Sequence, residues 1–146
     1  MSQTTWSGPL ASGDKAAGIT GGPNIGLARL TQTATINADA TLVQNASFNL
    51  PVNSIIDNVQ CDVITAYDSS SSATFSCGTS SGDTSYVNGV SAKSTGRKTQ
   101  GYTGAQLLAM SNTGTNTTVV ATVTSVGQPT VGKIFVTISY VQTTGS

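Results

Sequence analysis

From Thr31 onward the chain is built of short runs in which apolar and small polar residues alternate, each closed by glycine, proline, asparagine or a cluster of serines. A period of two sends successive side chains to opposite faces, so such runs read as strands buried on one side. Ser54 to Tyr67 is the clearest of them. Val59, Cys61, Val63 and Thr65 fall on one face, and Gln60, Asp62, Ile64 and Ala66 on the other. After the serines at 69–72, Ala73, Phe75 and Cys77 alternate with Ser72, Thr74 and Ser76. A hairpin centred on Ser69 opposes Thr65 with Ala73, Val63 with Phe75 and Cys61 with Cys77, all facing the core. A slip of one residue would bury the polar set instead, so the pattern names its own register.

The remaining runs follow the same grammar. Thr31 to Phe48 reads as one or two strands broken near Asn37-Ala38-Asp39, and Leu50-Pro51 closes them, because proline cannot donate to a ladder. Asn88-Gly89 signals a two-residue hairpin turn, flanked by Tyr86, Val87 and Val90. Thr117 to Val126 places Val119, Ala121 and Val123 on one face, and Lys133 to Val141 does the same with Ile134, Val136, Ile138 and Tyr140; Gly127 to Thr130 joins the two as a hairpin. Tyr102 to Met110 is the one helical candidate, with Thr103 as its cap. Seven or more short strands predict an all-β fold, an antiparallel β-sandwich of jelly-roll-like type over residues 31–146.

Residues 1–30 break the pattern. Gly8-Pro9 and Gly21-Gly22-Pro23 punctuate a stretch with no period of 2 or 3.6, which describes an extended N-terminal arm. Yet Trp6, Leu10, Ile19, Ile25, Leu27 and Leu30 are costly to leave in water, at about 1.5–3 kcal/mol for each large side chain that could be buried. Either the arm is a solvated tail, or it lies on its own domain, on another copy or on a larger partner. The mismatch between apolar content and absent period favours contact, and Trp6, Leu10, Ile25, Leu27 and Arg29 are the expected contact residues.

Composition narrows the chemistry. Among 146 residues there are 24 Thr, 19 Ser and 16 Gly, but no His and no Glu, and six Lys+Arg balance six Asp. Leu, Ile, Val and Phe total 31, a low number, but disorder normally also needs net charge and this chain has none. Without histidine there is no Ser-His-Asp or Cys-His arrangement and no imidazole ligand, so no enzyme, no catalytic residue, no metal and no cofactor are expected. Six dispersed cations do not supply the field that nucleic-acid binding needs, although Lys93, Arg97 and Lys98 cluster as either a solvated face or a small contact patch. No run approaches a membrane span, and the N-terminus shows no secretory signal, so the expectation is synthesis in a cytoplasm with no membrane partner.

Specific motifs add little. Gly127 to Ile134 matches a phosphate-binding loop except at its last position, but IFVTISYV after it is strand grammar where such a loop opens a helix. Cys61 and Cys77 cannot complete a zinc site, and as cross-strand neighbours they are either buried thiols or a disulfide. Asp57 and Asp62 differ in parity along one strand, which sets them on opposite faces and argues against a calcium site.

The order of elements carries a resemblance. The arm holds Trp6-Ser7-Gly8-Pro9-Leu10, then Asn24-Ile25-Gly26-Leu27-Ala28 leads into Thr31-Gln32-Thr33-Ala34. Phe48-Asn49-Leu50-Pro51, Ser54-Ile55-Ile56-Asp57, Thr65-Ala66-Tyr67 and Ser76-Cys77-Gly78-Thr79 follow, and Val119 to Val123 and Val136 to Val141 close the chain. Over nearly its whole length this resembles the small virion proteins of tailed bacteriophages that decorate or cement the capsid. The resemblance implies a compact β domain, often a homotrimer, on the capsid exterior of a virion assembled in a bacterial host. Its partners would be the major capsid protein and itself, with arms holding subunits together. The alternative is a receptor- or carbohydrate-binding module of a head fibre or tail adhesin, with Tyr67, Tyr86 and Tyr102 as sugar platforms.

Overall fold

A computed structural model describes residues 29–142 apart from 99, 112, 114, 116 and 117. Eight strands form: β1 (Arg29–Asn37), β2 (Val43–Asn49), β3 (Ser54–Thr65), β4 (Ser72–Gly78), β5 (Val87–Ser91), β6 (Gly96–Lys98), β7 (Thr118–Val126) and β8 (Lys133–Gln142), with one helix, α1 (Gly104–Ser111), between β6 and β7. They make two four-stranded antiparallel sheets, β1-β8-β3-β6 and β2-β7-β4-β5, packed as a β-sandwich. β1 begins at Arg29, so the strand takes in the last two residues of the expected arm. The preceding residues, including Trp6, Leu10, Ile25 and Leu27, lie outside the described part of the chain.

The pairing is nested. β1 pairs with β8, β2 with β7, β3 with β6 and β4 with β5, as though one long hairpin had been rolled up; β3·β8 and β4·β7 then complete the two sheets. Every connection except β4–β5 therefore crosses from one sheet to the other. Inward residues of each sheet meet in a single core. Ile134, Val136, Ile138, Cys61 and Val63 of the first sheet belong to the same buried cluster as Phe75, Cys77, Val119, Ala121 and Val123 of the second. The alternation in β8 is as the sequence predicts, and in β7 Val119, Ala121 and Val123 are buried as expected, but Val120 and Thr122 between them are buried too.

Three expected local arrangements are different. The β3–β4 hairpin does not form, because β3 and β4 lie in different sheets; Cys61 pairs with Val136 and Lys98, and Cys77 with Ala121 and Val87. Both thiols are free and buried. Alternation decides which side chains turn inward, and Val59, Cys61, Val63, Ala73, Phe75 and Cys77 do turn inward, but toward each other across the core. The segment Gly127 to Thr130 likewise connects the two sheets and closes no hairpin. Asn88-Gly89 sits inside β5 as a bulge: Cys77 pairs with Val87 and Phe75 with Val90, leaving two residues opposite Ser76, and Gly89 takes φ 68°. The left-handed conformation that the motif favours is used to bend a strand.

Two bulges in β3 reset its parity. Ser54 and Ile56 are buried, then Val59, Cys61 and Val63, because the register against β8 shifts between Ile56 and Asn58. Asp57 and Asp62 therefore both lie on the outer face, contrary to simple parity. A second shift between Val63 and Thr65 turns Thr65 out of the core.

At the end holding the β1–β2, β3–β4, β5–β6 and β7–β8 connections, Asp68 is the clamp. Its carboxylate accepts from Thr130 N at 2.8 Å, Thr130 Oγ1 at 2.7 Å and Val131 N at 3.0 Å, tying two sheet-crossing loops together. Gly132 lies against the ring of buried Tyr67, where an added Cβ would stand 2.5 Å from Cδ1. Replacing Gly132 with Ala should cost about 1–3 kcal/mol by overpacking, read as a lower urea midpoint with an unchanged m-value; an unchanged midpoint would show that the ring moves aside freely.

Candidate interaction surface

The thiols and carboxylates of the described residues are committed to the fold. Burial pushes the Cys61 and Cys77 thiols up to about 12, with Asp62 and Asp83 adding to the effect, so neither is a thiolate at neutral pH. Asp39 is held low first by the Thr41 hydroxyl and then by Gln44; Asp62 by Arg97 and then Gln60; Asp68 by the Val131 amide and then the Thr130 hydroxyl. Burial would raise Asp83, but hydrogen bonds from Thr79 and Ser85 outweigh it and leave the carboxyl low. That carboxylate accepts from Thr79 N at 2.7 Å and Ser85 Oγ at 2.7 Å, folding the β4–β5 loop back on itself. Among the described residues, no group of three or more Cys and Asp side chains is placed to hold a metal ion.

The expected contact residues fare variously. Arg29, at the start of β1, forms an ion pair with Asp57 of β3 at 2.9 Å across the outer face of the first sheet. Arg97 holds Asp62 with Nε to Oδ1 at 2.7 Å and Nη2 to Oδ2 at 3.3 Å, a two-pronged contact. Lys93 donates to the Ser69 carbonyl and Lys98 to Ser94 Oγ at 2.6 Å, so the basic cluster is spread over several local partners. Arg97 and Lys98 also border a pocket of about 160 Å³ with Asn58, Gln60, Gln100 and Tyr102. The sugar-platform reading loses two of its three aromatics: Tyr67 and Tyr86 are core residues at 2% and 3% exposure. Tyr102 is half-buried, and its hydroxyl accepts from Val59 N at 3.0 Å and lies 2.9 Å from Asn58 Oδ1.

What remains exposed is sorted by place. Among the described residues, the ten large apolar residues exposed to water sit toward the two ends of the sandwich. Leu42, Val43, Ile64, Val126 and Val131 lie at the end with the clamped loops; Leu30, Val52, Ile55, Leu107 and Leu108 lie at the end where β1 begins. Between them, the outer face of the first sheet is lined with hydroxyls. Thr31, Thr33 and Thr35 of β1 pair with Ser139, Thr137 and Phe135 of β8. Helix α1 holds its two leucines out through a reciprocal cap: Thr103 Oγ1 accepts from Gln106 N at 3.2 Å, and Gln106 Oε1 accepts from Thr103 N at 2.8 Å. The helix starts where the sequence predicts, and Leu108 is 75% exposed. That both leucines face water is not legible in the residues, since helical spacing alone does not say which side meets the sheet. No helix among the described residues is long and apolar enough to cross a membrane.

A comparison with solved structures finds the same architecture in a virion. The chain is similar to a chain of the cyanophage Pam1 capsid asymmetric unit, with a TM-score of 0.57 and 16% sequence identity, covering 94% of this chain and 100% of that one. At this identity the likeness is one of fold. No protein-family model matches the chain, and no curated protein matches it.

Two outcomes follow from the buried and hydrogen-bonded groups. The carboxylates are lowered relative to their unfolded value near 3.9, so they stabilise the fold fully above about pH 5 and lose that contribution as pH falls through the folded values. With no histidine or glutamate, the thermal midpoint should be flat from about pH 5 to 8 and fall below about pH 4; a step near pH 6.5 would contradict this. The thiols should resist alkylation in the native protein at pH 8 and react at once in urea. Fast labelling of the folded chain would show that one of them is accessible.

Proposed function

We propose that this chain is a structural protein of a phage virion that decorates the outside of the head and cements contacts between major capsid protein subunits. The observation that carries the reading is the likeness to a capsid chain along the whole of that chain's length, which leaves no part of the neighbour unaccounted for. The strand order supports it, since two sheets ordered β1-β8-β3-β6 and β2-β7-β4-β5 suit a double-sheet jelly roll, an architecture used in viral capsids. Apolar residues gathered at the ends and hydroxyls on the face suit a small domain that meets protein neighbours.

In this reading no reaction is catalysed. The protein binds the assembled shell and not its separated subunits, so each copy shifts the assembly equilibrium by its own binding energy. Many copies then multiply a modest contact. β1 starts at the end that carries Leu30, Val52 and Ile55, and in this reading the sequence before it serves as the anchor through Trp6, Leu10, Ile25 and Leu27. Further copies of the same chain complete the layer.

The test is co-sedimentation with capsids that lack the protein. The full chain should bind saturably and raise the temperature at which the shells break. Deleting residues 2–28 should abolish binding while the remaining domain keeps its thermal transition. Retained binding would remove the arm from the account, and saturable binding to a glycan array with no capsid binding would favour the adhesin reading instead.

A further inference from the structure

A sandwich has four edge strands, here β1 and β6 in one sheet and β2 and β5 in the other. Edge strands expose unpaired backbone groups, and proteins that stay single guard them with brevity, charge, bulges or covering groups. Three of these edges are guarded. β6 is three residues long and carries Arg97 and Lys98, and beyond it the Tyr102 hydroxyl occupies the Val59 amide of β3. β5 is broken by the bulge at Gly89, and its Asn88 amide is taken by Gln100 Oε1 at 3.1 Å. β2 is capped at both ends, its Val43 carbonyl by Thr41 Oγ1 at 3.1 Å and its Asn49 carbonyl by Gln32 Nε2 at 2.8 Å.

Among the described residues, β1 has none of these devices. It runs for nine residues, RLTQTATIN, without proline or lysine. All nine pair with β8 with no register shift, so the strand is not bent away by a bulge. Its one charge, Arg29, is at its first position and is neutralised by Asp57. Thr31, Thr33 and Thr35 are exposed along the outer face, and Leu30 on the inward side is still 41% exposed.

We propose that the free edge of β1 pairs antiparallel with β1 of a second copy, joining the two first sheets into one continuous eight-stranded sheet. Centred on Thr33, the self-pairing is complementary at every position. Thr33 faces Thr33 of the second copy and Thr31 faces Thr35, giving cross-strand threonine pairs on the outer face. On the inner face Leu30 meets Ile36, which covers the exposed leucine, and Gln32 meets Ala34. Arg29 faces Asn37, so no like charges meet. Residues 1–28 are a poor alternative occupant, because Pro9, Pro23 and six glycines break any alternation a donor strand needs. Identical strands paired in this way form an isologous, two-fold contact that closes with two copies. The inference is independent of the virion reading and differs from the trimer that the resemblance implies.

The test is the solution mass of the full chain by analytical ultracentrifugation at about 100 µM, a concentration that populates even weak pairing. The wild type should be a dimer. Thr33→Lys and Thr33→Glu, which set like charges directly opposite each other, should each weaken the dimer by about tenfold or more with an unchanged thermal midpoint. An equimolar mixture of the two should dimerise again. If a charge at 33 unfolds the domain, Thr35→Lys, facing Thr31 of the second copy, gives the same reading, and Thr137→Lys, one strand in from the edge, should leave the dimer intact. A monomeric or trimeric wild type, a Thr33→Lys dimer of unchanged affinity, or a mixture that stays monomeric would overturn the proposal.

Discussion

The fold stands on one apolar layer shared by two sheets. Ile134, Val136 and Ile138 on β8 and Phe75, Val119 and Val123 on the facing sheet are almost wholly removed from water, and alternate residues along the same strands are mostly threonine and serine. Each of these side chains gains roughly 1.5–3 kcal/mol on burial, against backbone ordering that costs about 1–2 kcal/mol per residue. The chain has 31 large aliphatic and phenylalanine residues and leaves ten of the described ones exposed, so the rest must fill most inward positions and every strand must keep its phase. That demand accounts for the bulges in β3. Inserting Asp57 and Ile64 as extra residues lets a twelve-residue strand stay in phase with β8 while it bends around the core.

The same scarcity governs the charged groups. With twelve charged residues in the whole chain, none is idle in the described carboxylates: Asp68 ties two loops, Asp83 closes a third, Asp39 orders the β1–β2 turn, and Asp57 and Asp62 hold arginines on the outer face. Carboxylates fixed by hydroxyls and amides in this way serve structure and are poor candidates for proton transfer. What the molecule offers to others is shape: apolar ends, a threonine-lined face and one long strand edge. These are properties of a component that meets protein surfaces, and a surface of near-zero net charge suits crowding among identical copies.

How much of this was readable in the residues depends on whether a feature is local or relational. β8 was fully legible because Ile134, Val136, Ile138 and Tyr140 alternate without interruption, and α1 because Thr103 stands as a cap ahead of a helix-permissive run. The β3–β4 hairpin was misread because alternation fixes the face a residue takes and not the strand beside it; Cys61 and Cys77 both turn inward, from opposite sheets. Asn88-Gly89 does bring positive φ, but a bulge needs it as much as a turn does. Tyr67 and Tyr86 sit near loops in sequence yet plug the core. The free edge of β1 was invisible for the same reason, since a strand becomes an edge only when the topology of all eight is known. Arg29, placed in the arm, belongs to that edge.

The central claim is that many copies of this protein cover a phage head. The most direct measurement is the molar ratio of this chain to the major capsid protein in purified particles, by quantitative mass spectrometry. A near-stoichiometric ratio is the predicted result, as expected of a layer that follows the capsid lattice. A ratio of a few per hundred, or absence of the chain from the particles, would contradict it.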